Sequence, residues 1–223
     1  MKYNYQIAID GPAGSGKSTV AKLLAKKLGL LYMDSGAMYR AITLYLIQKK
    51  IAIKKINKFK KHFKKIKIDF MIKKDKQHIF LNNADVTNHV RSQKVNQSVS
   101  EVSSKKIIRN EIDKRLRQFA MHCSVVMDGR DIGTNVFKNA NLKIYLTASC
   151  EIRAKRRMKD FRKMGETVSL KQLITDMQKR DNYDAARAIS PLCKAQDAVV
   201  IDSSLLNINE VLNKISSFIP YLR

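Results

Sequence analysis

Tryptophan is absent from this 223-residue chain, and proline (3), cysteine (3) and glycine (8) are scarce. So little Gly and Pro excludes collagen-like and low-complexity architectures. Cys123, Cys150 and Cys193 are odd in number and scattered, with no C-x-x-C or paired-His spacing. That excludes a disulfide framework and a zinc site, and predicts reduced thiols in the cytoplasm. His62, His78, His89 and His122 lie equally far apart and are expected to fill surface or core positions. No apolar run reaches the ~18–20 residues that span a bilayer, so no membrane partner is expected. The first expected strand begins almost at once, so no signal peptide is expected either.

Acidic residues are also short: 19 Asp and Glu face 44 Lys and Arg, a net charge of +25. Such a balance invites a nucleic-acid reading. The lysines, however, are spread everywhere in pairs such as Lys49–Lys50, Lys60–Lys61 and Lys64–Lys65, without interleaved aromatics or an RNA-binding signature. Abundant Lys, Ile and Asn beside scarce Gly, Pro and Trp also suit a genome of AT-rich codons. Nonspecific polyanion affinity is expected as a side effect, with no specific nucleic-acid partner.

The length suits one domain over 1–223 that can bury a full core and carry an insert. Apolar β-prone runs near residues 7, 31, 125, 143 and 199 alternate with helical patterns, predicting a five-stranded parallel sheet flanked by helices. Between them the character changes. Residues 51–65 are lysine-dense, and runs at Ile66–Phe70, His78–Leu81 and near Val86 predict a small antiparallel β insert, about 62–90. An insert of this kind supplies substrate contacts or a cover, or is a surface excursion; the pattern alone does not choose.

The segment Gln6–Thr19, QIAIDGPAGSGKST, carries the most chemistry. Gly11 and Gly16 with Lys17 and Ser18 match G-x-x-x-x-G-K-[ST], between an apolar strand and an amphipathic helix as that motif requires. Glycines let the backbone curl so that N–H groups converge on phosphate oxygens, and the helix N-terminus adds positive potential. Gly11, Pro12, Ala13, Gly14, Ser15, Gly16, Lys17, Ser18 and Thr19 are therefore the expected nucleotide-binding loop. Lys17 reaches the β- and γ-phosphates and the Ser18 hydroxyl holds Mg²⁺.

SVVMDGRDIGT (124–134) ends an apolar strand at Asp128, where a carboxylate would sit close to the Mg²⁺ shell; Arg130 and Asp131 leave the same strand end. A structural ion pair between Arg130 and Asp131 is the alternative; the loop at residues 11–18 favours a functional role for them. DSGAMYR (34–40) follows the second strand, with Ser35 placed to cap a helix and Arg40 one turn along it. Arg180, Asp184 and Arg187 share one side of a helix by spacing. That suits an exposed salt-bridge ladder slightly better than phosphate and ribose binding. The basic helix with Arg153, Arg156 and Arg157 reads first as a solvated face, and second as a segment closing over a transferring phosphoryl group.

Taken together, IDGPAGSGKST, DSGAMYR, DGRDIGT and RDxxDxxR ending in PL, in that order, resemble the bacterial cytidylate kinases, which are nucleoside monophosphate kinases. The likeness covers nearly the whole chain. It implies an α/β P-loop kinase core that acts as a monomer, with a monophosphate-binding part at about 35–104 and a helical lid at about 151–165. It implies transfer from ATP, with Mg²⁺, to CMP or dCMP. Residue by residue, it implies Ser35, Ser100, Arg109 and Asp131 around the cytosine nucleotide. Arg40, Arg130 and Arg187 would hold the monophosphate, Arg180 and Asp184 the ribose. Lys17, Arg130, Arg153 and Arg157 would serve the chemistry, and Ser18 and Asp128 the metal. Ser190, where relatives have alanine, and the lysine-rich insert depart from the pattern. Adenylate, thymidylate and shikimate kinases remain alternatives on the same core, as does a basic binding module. The absence of N-K-x-D argues against a GTPase.

Overall fold

A computed structural model describes residues 4–73, 76–163 and 165–219, without the side chains of 55, 57–61, 72, 73 and 76. Residues 74 and 75 of the expected insert and 164 of the expected lid thus lie outside the described residues. In chain order the elements are β1 (Gln6–Asp10), α1 (Lys17–Leu28), β2 (Leu31–Asp34) and α2 (Ser35–Gln48). A run of 3-10 turns (Ile53–Lys65) leads to β3 (Ile68–Lys73), β4 (Lys76–Leu81) and β5 (Ala84–Asp85), then α3 (Gln93–Ser104) and α4 (Lys106–Ala120). β6 (Val125–Gly129), β7 (Leu142–Thr147), α5 (Cys150–Lys163), α6 (Leu170–Ala185), β8 (Val199–Asp202) and α7 (Ile208–Ser216) complete the chain. These form two compact units, one of Met1–Asp34 with Arg117–Arg223, the other Ser35–Leu116.

The first unit holds the parallel sheet, in the order β2-β6-β1-β7-β8. Its central strands are apolar without alternation, Ile7–Ile9 and Val125–Met127, because both faces are covered. Val20, Ala21 and Leu24 of α1 and Val211 and Ile215 of α7 pack with Ile7, Ile9, Val126, Ile144 and Leu146. α1 stops at Gly29, whose φ of 65° lets its N–H turn back onto the carbonyls of Ala25 and Lys26. α7 opens on a capping box. Asn207 accepts from the Glu210 N–H at 3.1 Å and Glu210 accepts from the Asn207 N–H at 2.7 Å. Ala154, Leu173 and Met177 join α5 to α6 in a smaller core.

In the second unit β3, β4 and β5 form the antiparallel sheet. Asn82 and Asn83 join β4 to β5 with φ of 49° and 69°, both left-handed. This is the two-residue turn whose twist matches a hairpin, and asparagine tolerates it. α2 packs along α3. Arg115 of α4 secures the 3-10 run by donating to the carbonyls of Ile66 (2.8 Å) and Phe63 (2.9 Å) while its Nε meets Glu111 at 2.7 Å.

Element boundaries differ from the sequence reading in several places. The run expected as a strand at Ile66–Phe70 lies two to three residues further on, at Ile68–Lys73, because the 3-10 turns continue to Lys65. The helical stretch after Ser92 is two helices parted at Lys105, and α6 runs to Ala185 instead of ending at Arg180.

Candidate active site

All five strands of the parallel sheet point the same way, so their carboxyl ends share one edge. Asp34 lies beside Asp128, and Asp10 beside Gly129. From the end of β1 the chain turns sharply. Gly11 has φ of 147°, and a Cβ there would stand 2.0 Å from the Leu146 carbonyl oxygen, so only glycine fits. Gly16, with φ of 93°, turns the chain into α1.

Lys17 opens α1, yet its side chain curls back into the loop, donating to the Pro12 carbonyl at 2.7 Å and lying 3.4 Å from the Ser15 hydroxyl. It is 5% exposed. Burial and the Arg130 guanidinium push its ammonium well below the ordinary lysine value. Arg180 adds to that, while the carboxylates of Asp128 and Asp10 oppose it. Two guanidiniums and a desolvated ammonium act on one spot, a strongly anion-seeking field.

Asp128 accepts from the Ser18 hydroxyl at 2.8 Å and from the Tyr32 hydroxyl at 2.9 Å. Burial, then the neighbouring Asp34 charge, push its carboxyl upward against the pull of Lys17 and the two hydroxyls. Burial and the same carboxylate push the Tyr32 phenol up, so it stays a donor. Asp10 accepts from the backbone N–H groups of Ile132 (2.8 Å) and Gly133 (2.7 Å). Burial raises it to about 6 despite those two donors.

α5 grips the outside of the loop. Arg153 donates to the Ala13 carbonyl at 3.1 Å and the Ala148 carbonyl at 2.8 Å, and pairs with Asp181 of α6. Arg156 donates to the Ser15 carbonyl at 3.3 Å and to both oxygens of Ser203, whose hydroxyl itself donates to the Ser15 carbonyl at 3.1 Å. Arg157 lies over the Phe161 ring at 4.9 Å.

Arg130 pairs with Asp184 (3.1 Å), and Arg187 pairs with the other oxygen of the same carboxylate. Asp184 is 1% exposed, so this is no exposed ladder. α6 ends at Ala185, and the chain folds back through Ser190 (φ 51°) and Pro191 until the Leu192 N–H meets the Asp184 carbonyl at 2.9 Å. Arg187 is thereby off the helix, under the Tyr183 ring. Arg130 takes Asp184 as its partner, not Asp131, so the structural alternative for that pair is not what forms. Asp131 instead accepts from the Asn135 amide at 3.1 Å.

The first unit thus assembles Lys17, Ser18, Asp128, Arg130, Arg153, Asp184 and Arg187, with Arg180 close enough to bear on Lys17. Ser35, Arg40, Ser100 and Arg109 belong to the second. There Arg109 is fully buried, lying over the Tyr39 ring and donating to its hydroxyl at 3.2 Å; that hydroxyl meets Asp113 at 3.4 Å. The sequence reading missed the roles of Asp10, Tyr32, Asp181, Arg156 and Ser203. Asp10 could have been suspected from its place at the end of β1; Tyr32, inside β2, and Ser203 carry no such signal.

A buried lysine inside a glycine loop, backed by a hydroxyl–carboxylate pair at the strand ends, is how P-loop phosphotransferases meet a nucleotide phosphate chain. The fold agrees. An uncharacterized protein from Eubacterium ventriosum superposes over 97% of this chain and 98% of its own at a TM-score of 0.53, with 15% identity. Sequence comparison is sharper. A sequence model of the cytidylate kinase family matches residues 7–220. Cytidylate kinase of Bacillus subtilis is 44% identical over 215 residues, 96% of each chain. That of Fusobacterium nucleatum is 43% identical over 220 residues, 99% of each. A bifunctional pantoate ligase/cytidylate kinase of Prochlorococcus marinus is 49% identical over 96% of this chain and 42% of its own. The chain belongs to the cytidylate kinase family, whose phosphoryl donor is ATP.

Proposed function

We propose that this enzyme transfers the γ-phosphoryl group of ATP to CMP and dCMP, releasing ADP with CDP or dCDP, in the pyrimidine nucleotide metabolism of the cytoplasm. The observation that carries the reading is the field around Lys17. A desolvated ammonium that feels Arg130 and Arg180 as well as the carboxylates of Asp128 and Asp10 gains from a polyanion that adds negative charge. Phosphates of donor and acceptor supply that charge. Because the groups stand ready before reaction, they stabilise the transferring phosphoryl group at little reorganisation cost.

In this reading Gly11–Thr19 cradle the donor phosphates and Lys17 follows the charge that moves with the γ-phosphoryl group. The Ser18 hydroxyl and Asp128 carboxylate, 2.8 Å apart, are hard oxygen donors of the kind Mg²⁺ takes. When bound there, Mg²⁺ would neutralise phosphate oxygens and draw donor and acceptor into line. Arg40, Arg130 and Arg187 hold the acceptor phosphate, Arg180 and Asp184 its ribose, and Ser35, Ser100, Arg109 and Asp131 its base. Arg153 and Arg157 add charge on the transferring group. Cytosine offers an N4 amino donor beside N3 and O2 acceptors, which Asp131 and Arg109 complement. Uracil would set carboxylate against carbonyl. The enzyme acts as a monomer on small nucleotides, without a nucleic-acid partner.

A coupled assay of ADP release across CMP, dCMP, UMP, AMP, dTMP and shikimate tests this. CMP and dCMP should be turned over fastest. A different preferred acceptor would move the enzyme to another kinase activity, and no ADP release with any acceptor would leave only nucleotide binding.

A further inference from the structure

We propose that Asp10 is a positioning residue that sets the base-reading side of the acceptor site. It does so by fixing the turn that carries Arg130 and Asp131 to the root of the phosphate loop. This rests on the roles assigned above to Arg130 and Asp131.

Asp10 is the last residue of β1 and Gly129 the last of β6, side by side in the sheet. From Gly129 the chain runs through Arg130 and Asp131 and then bends. The next two backbone N–H groups, of Ile132 and Gly133, end on the two carboxylate oxygens of Asp10, at 2.8 and 2.7 Å. A carboxylate is the side chain that can accept from two successive amides. An amide of the same shape would set its own NH₂ against one of them. Asp131 therefore lies between a paired strand residue, two positions before it, and a doubly anchored pair just after it.

The far side of the turn is also held. A Cβ on Gly133 would stand 3.1 and 3.3 Å from the Lys143 side-chain carbons and 3.4 Å from Asp10 Oδ2. Lys143 is itself pinned, donating to the Lys138 carbonyl at 2.6 Å and to Asp197 at 2.9 Å. The turn is thus clamped between a buried carboxylate and a fixed lysine stem. Keeping a carboxylate in this site is costly, as its upward shift under desolvation shows. Held in this way the turn gives Arg130 and Asp131 a fixed origin, which a ligand read atom by atom requires.

Four full-length variants decide it by steady-state kinetics with CMP, UMP and ATP: Asp10→Asn, Gly133→Ala, Asp131→Ala, and Asp10→Asn combined with Asp131→Ala. Asp10→Asn should lower kcat/KM for CMP by about tenfold or more, the scale of one misplaced charged hydrogen bond. It should narrow the CMP-to-UMP ratio while the KM for ATP stays within about twofold. In the Asp131→Ala background the loss should shrink, since both changes then act on one contact. Gly133→Ala keeps the charge but presses on the turn, so it should show the same pattern more weakly, and it carries the test if Asp10→Asn does not fold. Equal losses on CMP, UMP and ATP, or losses that simply add, would reduce Asp10 to general support of the loop and overturn the inference. If Asp131→Ala narrows the ratio and Asp10→Asn does not, the inference alone fails. If Asp131→Ala leaves the ratio unchanged, the base-site assignment falls and takes this with it.

Discussion

An ammonium taken out of water and placed beside guanidiniums is a residue set for a ligand and not for the fold. Among the described residues, Lys17 hydrogen-bonds only to loop oxygens of its own segment, at Pro12 and Ser15. Its desolvation already offsets much of what those bonds contribute. Lys17→Ala should therefore fold with an unfolding midpoint close to wild type and lose phosphoryl transfer by ~100-fold or more. Near-normal turnover at saturating ATP and CMP would remove Lys17 from the chemistry. Arg187 makes the complementary case. It shares the buried Asp184 carboxylate with Arg130, and a planar guanidinium fits a phosphate better than an ammonium does. Arg187→Lys should raise the KM for CMP about tenfold with little change for ATP. Parallel rises in both constants would assign Arg187 a general structural role instead.

At the level of elements, α5 and α6 form a pair with a small core of their own and polar connections to the phosphate loop. Leu173 and Met177 of α6 meet Ala154 of α5, while Arg153 ties the pair to the Ala13 carbonyl and to Asp181. Leu173 is buried, so Leu173→Ala should cost ~2–4 kcal/mol if the pair unfolds with the rest of the unit. Urea unfolding followed by circular dichroism measures it. A loss below ~1 kcal/mol would mean that α5 and α6 open on their own, with their contacts outside the cooperative transition. The arginines on this pair serve as straps as well as charges. Arg156 illustrates the point: it looks like a solvated helix residue by spacing and spans the Ser15 and Ser203 carbonyls in the fold.

For the whole molecule the net charge of +25 is the dominant property. Exposed lysines, as at Lys54, Lys64, Lys65 and Lys67, contribute to it. Binding to RNA should fall linearly on a log–log plot against salt, with a slope of about −0.7 for each phosphate contact on a single strand, and show no sequence preference. Titrating labelled single-stranded RNAs of different sequence between low and physiological salt measures both. A sequence-selective complex that survives physiological salt would mean that the charge has a partner. Among the described residues, no helix is long and apolar enough to cross a membrane.

The sequence by itself determined the order of strands and helices, the phosphate loop, the family and the identity of most charged groups near the strand ends. These are local properties. A strand–glycine–lysine–helix run dictates its own conformation, since backbone freedom at Gly11 and Gly16 and apolar runs such as Ile7–Ile9 act over a few residues. Only the tertiary structure decided which charges meet. Asp184 becomes a buried hub for Arg130 and Arg187 because α6 runs on to Ala185 and the chain folds back at Ser190 and Pro191. Asp10 reaches Ile132 and Gly133, over 120 residues away, because β1 and β6 are neighbours in the sheet. Ser203 joins Arg156 to the loop through a strand added last. In each case the partner is chosen by strand order and burial. Those depend on how the whole chain hides its apolar surface, and no window of sequence contains that information.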